Sequence, residues 1–453
     1  MSFASWRDRG REAAVIGLGK SGVAAALLLR REGIPVYASD VARESAASHD
    51  VTLRLQAAGV AVQRGGHDLA RIAQAGVCVV SPGIPPEAAP LASARAAGVP
   101  VVSELDVGWA GLPDTRFAVV TGTNGKTTTT ALTGHLLQVG GLRSVTAGNI
   151  GRPLAQVAFE GPPPAWVALE VSSFQLHDTY DLTPAIGALT NLAPDHLDRY
   201  PTLEAYYQDK DLLFRRATPE SCWVLNADDA EVRRRSCGRL GRRLGFSVRQ
   251  PAEAWFDRSQ RALRLGESLL LPRERLTLLG DHNVANALAA SLIAAEAGVV
   301  LDDIREGLAS FRALPHRLEP VAEQGGVLWI NDSKATNVAS TLVAVQALER
   351  PFVLLLGGRH KGEPYTVLAE AAAARCRAVL AFGESRQLVA GDLGTRLPVI
   401  DCGTDFARVI TEAQRLARPG DAVLLSPACS SYDMFKNYED RGAQFRAAVE
   451  ALG

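Results

Sequence analysis

Residues 119–132 read VVTGTNGKTTTTAL, an apolar run that passes through a glycine turn into a lysine and four threonines. Three local signals meet here. FAVVTG is an apolar, β-branched strand, TNGK is a turn, and TTTTALTGHLLQVGG is a helix stopped by Gly140 and Gly141. A glycine turn at a helix start points backbone N–H groups at an anion, and a neighbouring lysine adds counter-charge. The common phosphate-loop spacing has a glycine five positions before the glycine of GK[ST]; this chain has Val120 there, and Gly122 arrives two residues later. The loop is therefore short. Its expected ligand is a polyphosphate, with Lys126 against the β and γ groups and the Thr127 hydroxyl on Mg²⁺. Threonines are poor helix formers, so four at a helix start point to use of their hydroxyls; capping accounts for one.

Outward from the loop the strand–turn–helix grammar repeats. AWVALE (165–170) and AIGALTN (185–191) are apolar strands without alternation, as expected of a parallel sheet covered on both faces. After residue 221 the spacing loosens into β-like pieces before the helical NVANALAASLIAAEAG. Upstream, AAVIGLGKSGVAAALLLRREGIPVYASD (13–40) is a βαβ start with Gly17-x-Gly19-x-x-Gly22 and an acid, Asp40, at the end of the second strand. That arrangement suits a phosphate at a helix N-terminus and a ribose on the carboxylate, and taken alone it also suits NAD. Downstream, VLWIND (327–332), FVLLLGG (352–358), AVLAFG (378–383) and DAVLLSPA (421–428) form a second doubly wound unit. The expectation is an α/β protein of three domains, 1–104, 105–313 and 314–453.

Composition agrees. The 453 residues are too many for one ordinary domain, and 47% apolar with 21% charged residues suits a sizeable core. A formal net charge of −1 offers no global field for nucleic acid or an anionic membrane. The basic run RRRSCGRLGRR (233–243) has no interleaved aromatics and reads as a solvated surface segment. Six cysteines without ligand spacing read as free thiols in a reducing compartment. With no apolar leader and no span of about 18 apolar residues, the expected location is the cytoplasm.

Open α/β sheets collect ligands at the carboxyl ends of their strands, and polar clusters recur there. Glu170 ends one strand and supplies a carboxylate for Mg²⁺, or caps the next helix; Ser172 and Gln175 follow it. His196 sits between Asp195 and Asp198 after the next strand, and Lys210 is an unremarkable helix lysine. In the last third, Arg317 follows the boundary and is placed to reach a γ phosphate on domain closure. Asp332 with Lys334, Lys361, and Ser430 with Ser431 follow strand ends.

GTNGKTT, LEVSSFQL, TNLAPDHLDRY, HNVANALAA, LPHRLE, NDSKATN and SPACSSYDMFKNYEDRG together resemble the Mur ligases of bacterial cell-wall synthesis, in order and over nearly the whole chain. The resemblance implies a Rossmann-like N-terminal domain for a UDP-sugar, a central phosphate-loop ATPase domain, and a Rossmann-like C-terminal domain for an amino acid. Within the family the motifs most resemble the branch that joins D-glutamate to UDP-N-acetylmuramoyl-L-alanine through an acyl phosphate, with L-glutamate or a sibling ligase's substrate as the alternative. A DNPR-like sequence, expected of ligases adding a diamino acid, is absent. An NAD-dependent dehydrogenase would leave residues 121–337 without a purpose. D- and L-glutamate are not distinguished by any residue.

By the same resemblance, Gly122, Thr123, Asn124, Gly125, Lys126, Thr127, Thr128, Asn283, Asn286, Arg317 and Asp332 bind ATP. Thr127 and Glu170 hold one Mg²⁺, and His196 with a carbamylated Lys210 the second. Lys126, Glu170, His196, Lys210 and Arg317 are the expected catalytic groups. Lys20, Ser21, Asp40, Ser81, Asn149, Ser172, Gln175 and His196 face the UDP-sugar. Thr336, Lys361, Ser431 and Tyr438 hold glutamate, with Arg359 competing with Lys361 for a carboxylate. The partners implied are small molecules, with no nucleic acid, no membrane insertion and a monomeric enzyme.

Overall fold

The computed structural model describes residues 2–8, 10–196 and 199–452, so Asp198, named above beside His196, lies outside them. The first sheet joins β1 (Ala13–Ile16), β2 (Val36–Asp40), β3 (Ala61–Arg64), β4 (Val77–Val80) and β5 (Val101–Ser103) in the order β3-β2-β1-β4-β5. All its pairings are parallel. β1 and β4 are buried at every position, which is why they read as unbroken apolar runs. At the turn after β1, Gly17 has φ 91°, and a Cβ on Gly22 would stand 1.8 Å from the Gly17 carbonyl oxygen. Glycine is required there because helix and strand approach backbone to backbone.

The second sheet contains β6 (Arg116–Thr121), β7 (Ser144–Gly148), β8 (Trp166–Glu170), β9 (Ile186–Leu189), β10 (Cys222–Asn226), β11 (Arg242–Ser247), β12 (Ala254–Asp257), β13 (Ala262–Leu265) and β14 (Ser268–Pro272). Their order is β14-β13-β12-β11-β10-β9-β6-β8-β7. Pairings from β7 to β12 are parallel, but β12–β13 and β13–β14 are antiparallel, so the irregular β-like pieces extend the sheet as a meander rather than as βαβ units. Turns of a few residues cannot carry the crossover a parallel pair needs.

The third sheet joins β15 (Glu319–Gln324), β16 (Val327–Asn331), β17 (Phe352–Gly357), β18 (Cys376–Phe382), β19 (Val399–Asp401) and β20 (Ala422–Leu425) in the order β15-β16-β20-β17-β18-β19. It is parallel except for the β15–β16 edge hairpin.

The three sheets lie in two compact units. One comprises Met1–Arg273 with Ala285–Ser310, the other Glu274–Val284 with Phe311–Gly453. The first two sheets share a unit because one apolar core runs through both, from Leu28 and Leu105 to Leu154 and Leu169. At that seam a Cβ on Gly108 would meet the Ala155 amide nitrogen at 2.6 Å, and Glu104 Oε1 accepts from that amide at 2.5 Å.

The arginine run is not uniformly solvated. Arg233 and Arg234 are exposed, but Arg235 is 6% exposed and ion-paired. Arg233 and Arg234 point outward while Arg235 turns inward because the helix Ala230–Ser236 turns about 100° per residue. All six cysteines are free thiols.

Candidate active site

The phosphate loop leaves β6 and enters the helix Lys126–Val139. Gly122 has φ 142° and Gly125 φ 81°, conformations that glycine supplies without strain. Gly125 is the N-cap and places no side chain of its own over the amides of the first turn, the end of a helix that favours an anion. The strand end next door braces the loop. Asn191 Oδ1 accepts from the Asn124 amide at 2.8 Å, Thr190 Oγ1 donates to the Asn124 carbonyl at 2.6 Å, and Thr123 N–H donates to the Asn191 carbonyl at 2.9 Å. Sequence reasoning missed Thr190 and Asn191, although both stand in the quoted TNLAPDHLDRY. None of the four threonines caps the helix. Thr129 Oγ1 donates to Asn286 Oδ1 at 3.2 Å and Thr130 Oγ1 to the Lys126 carbonyl at 2.8 Å, while Thr127 and Thr128 are half-buried at the loop. Lys126 Nζ donates to the Thr123 carbonyl at 2.7 Å, so its head already lies over the loop.

Glu170 ends β8 and is 1% exposed. It does not cap the following helix, whose N-cap is Ser172. Its Oε1 accepts from Asn149 Nδ2 at 2.9 Å, and its Oε2 is buried with no hydrogen-bond partner. A buried carboxylate oxygen left bare costs free energy unless something positive completes it. Lys210, on the helix Leu203–Asp211, is 1% exposed, with Nζ donating to the Gly122 carbonyl at 2.7 Å and lying 4.8 Å from the Tyr206 ring centroid. Burial holds this amine well below the usual lysine range, and the Lys126 charge lowers it further. His196, at φ 54°, has Nε2 3.5 Å from Asp195 Oδ2 and its ring 5.0 Å from that of Phe174. Among the described residues no three carboxylate, imidazole or thiol groups converge as a metal cage, so a metal here needs ligands of other kinds.

In the expected UDP-sugar region, Asp40 Oδ2 accepts from the Leu18 amide at 2.7 Å and Oδ1 from the Ala42 amide at 2.8 Å, which ties the glycine turn to β2. Ser81 Oγ donates to the Gly17 carbonyl at 3.1 Å. Lys20 is exposed and Ser21 half-buried at the start of the next helix. Ser172 and Gln175 satisfy one another in a capping box, the Ser172 amide donating to Gln175 Oε1 at 3.0 Å. A cavity of about 300 Å³ joins Ser81 to Gln175, and its wall adds Phe174, His177, Tyr200 and Asp209. None of these four was singled out from sequence. His177 Nδ1 is 3.0 Å from Asp209 Oδ1, and that bond raises the imidazole above its ordinary range.

In the second unit, Asp332 follows β16. Its Oδ1 accepts from the Leu318 amide at 3.1 Å and Oδ2 from Ser426 Oγ at 2.8 Å, and burial pushes the carboxyl up to about 7. Half-buried Arg317 lies between His316 and Leu318, both at positive φ (64° and 43°). Asn283 Nδ2 donates to the Leu279 carbonyl at 2.8 Å. Thr336 and Lys361 come together, Nζ to Oγ1 at 3.4 Å. Arg359 is turned to Glu384, at 3.0 Å. Ser431 is 2% exposed, and Tyr438 opens the last helix with its hydroxyl 3.3 Å from Lys334 Nζ. Ala428 in SPAC also has positive φ, 55°. His196, His316, Leu318 and Ala428 thus hold a left-handed backbone within the quoted motifs, strain of the kind that surrounding structure maintains at working sites.

Comparison with known proteins places these features in a lineage. Residues 11–103 match the N-terminal domain of MurD-like Mur ligases, 120–294 the Mur ligase middle domain, and 316–429 the Mur ligase glutamate ligase domain. The chain is 41% identical to the UDP-N-acetylmuramoylalanine–D-glutamate ligase of Salinibacter ruber over 98% of each chain. It is 41% identical to the enzyme of the same name from Myxococcus xanthus, over 98% of this chain and 99% of that one. Among solved structures it is similar in fold to a UDP-N-acetylmuramate-alanine ligase from Thermotoga maritima, with TM-score 0.61 at 18% identity and coverage of 98% and 100%. A pseudomurein peptide ligase type C from Methanothermus fervidus gives 0.60 at 20%, with the same coverage.

Proposed function

The chain belongs to the Mur ligase family, and from that premise we propose that it joins D-glutamate to the L-alanyl carboxylate of UDP-N-acetylmuramoyl-L-alanine, converting ATP to ADP and phosphate. The observation that carries the reading is end-to-end identity near 40% with ligases of that name, on a chain whose short phosphate loop is built to receive an anion. The NAD reading of the first glycine turn is not favoured, since that turn lies within the stretch matched to the MurD-like N-terminal domain.

A carboxylate is a poor electrophile because oxide is a poor leaving group. Transfer of the γ phosphoryl group to it makes an acyl phosphate, and the glutamate amine then attacks the carbonyl carbon. The tetrahedral adduct gives up a proton from nitrogen and collapses to an amide as phosphate leaves with the C–O bonding pair. Lys126 offsets the repulsion between the two anions brought together, and Gly122 and Gly125 let backbone amides close on the phosphates. The turn reaches this shape without backbone strain, because both of its positive-φ positions are glycine. Thr127 and the bare Oε2 of Glu170 suit one Mg²⁺, with Asn149 holding the other carboxylate oxygen in place. His196 and Lys210 serve a second ion. Magnesium, when bound there, would supply positive charge that offsets the charge of the phosphoryl group being transferred.

Lys210 suits carbamylation. Only a neutral amine condenses with CO₂, giving a carbamate and releasing one proton, and burial favours the neutral form. The product converts a buried amine into an anionic oxygen ligand. Asn283, Asn286, Arg317 and Asp332 complete nucleotide binding. Thr336, Lys361, Ser431 and Tyr438 take glutamate, the lysine pairing with a carboxylate. Lys20, Ser21, Asp40, Ser81, Asn149, Ser172 and Gln175 serve the UDP-sugar. The substrates are cytoplasmic metabolites, so we place the enzyme there, acting as a monomer. Among the described residues no helix is long and apolar enough to cross a membrane.

The test is phosphate release from MgATP with UDP-N-acetylmuramoyl-L-alanine and either D- or L-glutamate. Release with the D isomer alone is the expected result. Release with the L isomer alone keeps the chemistry and changes the substrate, and silence with both refutes the proposal.

A further inference from the structure

The helix Leu203–Asp211 carries Lys210 on one face and charged anchors on two others. At about 100° per residue, Glu204, Tyr207 and Asp211 form one stripe, Tyr206 and Lys210 a second, and Asp209 stands on a third side. The first stripe is gripped by Arg235 of the helix Ala230–Ser236. This guanidinium is 3% exposed, donates to Asp211 Oδ2 at 2.9 Å and to Glu204 Oε2, and lies 4.9 Å from the Tyr207 ring centroid. The third side is gripped by Asp209, whose carboxylate meets His177 Nδ1 at 3.0 Å and accepts from the Tyr200 hydroxyl at 2.9 Å. Between these grips the Lys210 amine reaches the Gly122 carbonyl of the phosphate loop.

We infer that Arg235 and His177 are positioning residues of the ligase reaction, a charged clamp that sets the rotation and height of the Lys210 helix against the phosphate loop. The inference rests on the reading that Lys210 works as a carbamylated ligand. Several features separate a clamp from incidental surface pairing. Exposed ion pairs contribute little, but Arg235 is buried with a planar fork that fixes direction as well as distance. Besides Glu231 of its own helix, its two acceptors on the Lys210 helix lie nearly two turns apart, so one side chain resists both rotation and sliding. Its own helix is tied to the loop bearing His196, because the N-cap Asp229 also accepts from the Leu192 amide at 2.8 Å. On the other side, His177 ends the short helix Ser173–His177, so that grip links Lys210 to the wall of the cavity holding Gln175. A buried Lys210 has little freedom of its own, and a tilt of its helix moves Nζ relative to the loop.

The test compares Arg235→Met, Arg235→Lys, His177→Gln and Lys210→Ala with the parent. One readout is steady-state kinetics for each substrate, and the other is the carbonyl NMR signal of enzyme equilibrated with isotopically labelled bicarbonate. Arg235→Met should lower kcat roughly tenfold to a hundredfold, with KM for the UDP-sugar and for glutamate within about twofold. Its labelled signal should weaken and return in excess bicarbonate. Arg235→Lys should fall between, since an ammonium keeps the charge but lacks the planar fork that holds two carboxylates in fixed directions. His177→Gln should lose less, in the same direction, and being on a half-exposed flank it decides the matter if Arg235→Met does not fold. Parental kcat and parental signal in the folded flank variants, whatever their melting temperatures, would overturn the clamp while an inactive Lys210→Ala left the reading of Lys210 standing. Full activity in Lys210→Ala would remove that reading and the clamp's purpose with it.

Discussion

Gly125→Ala should separate fold from function at the phosphate loop. Gly125 has φ 81°, and a Cβ there would stand 2.3 Å from Asn286 Oδ1, which is 6% exposed and accepts from the buried Thr129 hydroxyl. An alanine in the left-handed region costs about 1–2 kcal/mol. Ordinary contact requires Asn286 to retreat by about 1 Å, which breaks the Thr129 bond for about 1 kcal/mol more. The sum, about 2–3 kcal/mol, is tolerable against a typical stability of about 5–15 kcal/mol, so the variant folds. Function is less forgiving: a misplacement of about 1 Å costs on the order of a hundredfold in rate. Gly141→Ala is the control. It sits beyond the other end of the same helix at φ 72°, with nothing within 4 Å of the added Cβ, so it carries the strain without the collision. Thermal unfolding and kcat/KM for ATP are measured on both. We expect modest losses of Tm in both, larger for Gly125→Ala by the collision's share of about 1 kcal/mol, and a gap of about a hundredfold in kcat/KM. A Gly125→Ala enzyme within about threefold of Gly141→Ala in kcat/KM would refute the claim that this loop geometry governs nucleotide use.

Two further outcomes follow from buried charge and from the third sheet. Glu104 is 1% exposed with a bare Oε2, and burial pushes its carboxyl up to about 7 from 4.5. A raised folded value means its contribution is fully present below about pH 4.5 and is lost as pH rises through 7, a cost of about 3 kcal/mol at pH 8. Glu104→Gln keeps an acceptor for the Ala155 amide, so urea unfolding should show it more stable than the parent at pH 8 by about 1–3 kcal/mol, and near parity at pH 5; lower stability at pH 8 would contradict the assignment. At the glutamate end, Lys361→Ala should raise KM for glutamate by about tenfold or more, whereas Arg359→Ala should stay within about twofold because Glu384 already engages that guanidinium. The reverse order in glutamate titrations would assign the carboxylate to Arg359.

Legibility differed by residue for physical reasons. Glu170 was readable because a carboxylate ending an apolar strand has few structural uses, and the structure removes the capping alternative by giving that task to Ser172. Lys210 carried no local signal, since a lysine on a polar helix looks solvated; only packing of its helix against the phosphate loop buries it. Arg235 misled in the same way. Within a basic run its charge predicts solvent, while its helical phase points it at Asp211 and Glu204. The competition between Arg359 and Lys361 was open on the sequence because both flank one turn. Glu384, distant in sequence, engages the first, and Thr336 meets the second.

What the chain determined by itself was local: apolar strands, glycine turns at their carboxyl ends, helices behind them, and hence which residues face a ligand-binding sheet edge. Those features depend on backbone conformation and on side-chain spacing within about ten residues, which sequence records directly. The antiparallel end of the second sheet, the core shared by the first two sheets, the bare oxygen of Glu170, the burial of Lys210 and the grips of Arg235 and His177 were decided only in three dimensions. Each depends on groups far apart in the chain, and desolvation and ion pairing are set by what surrounds a group in space.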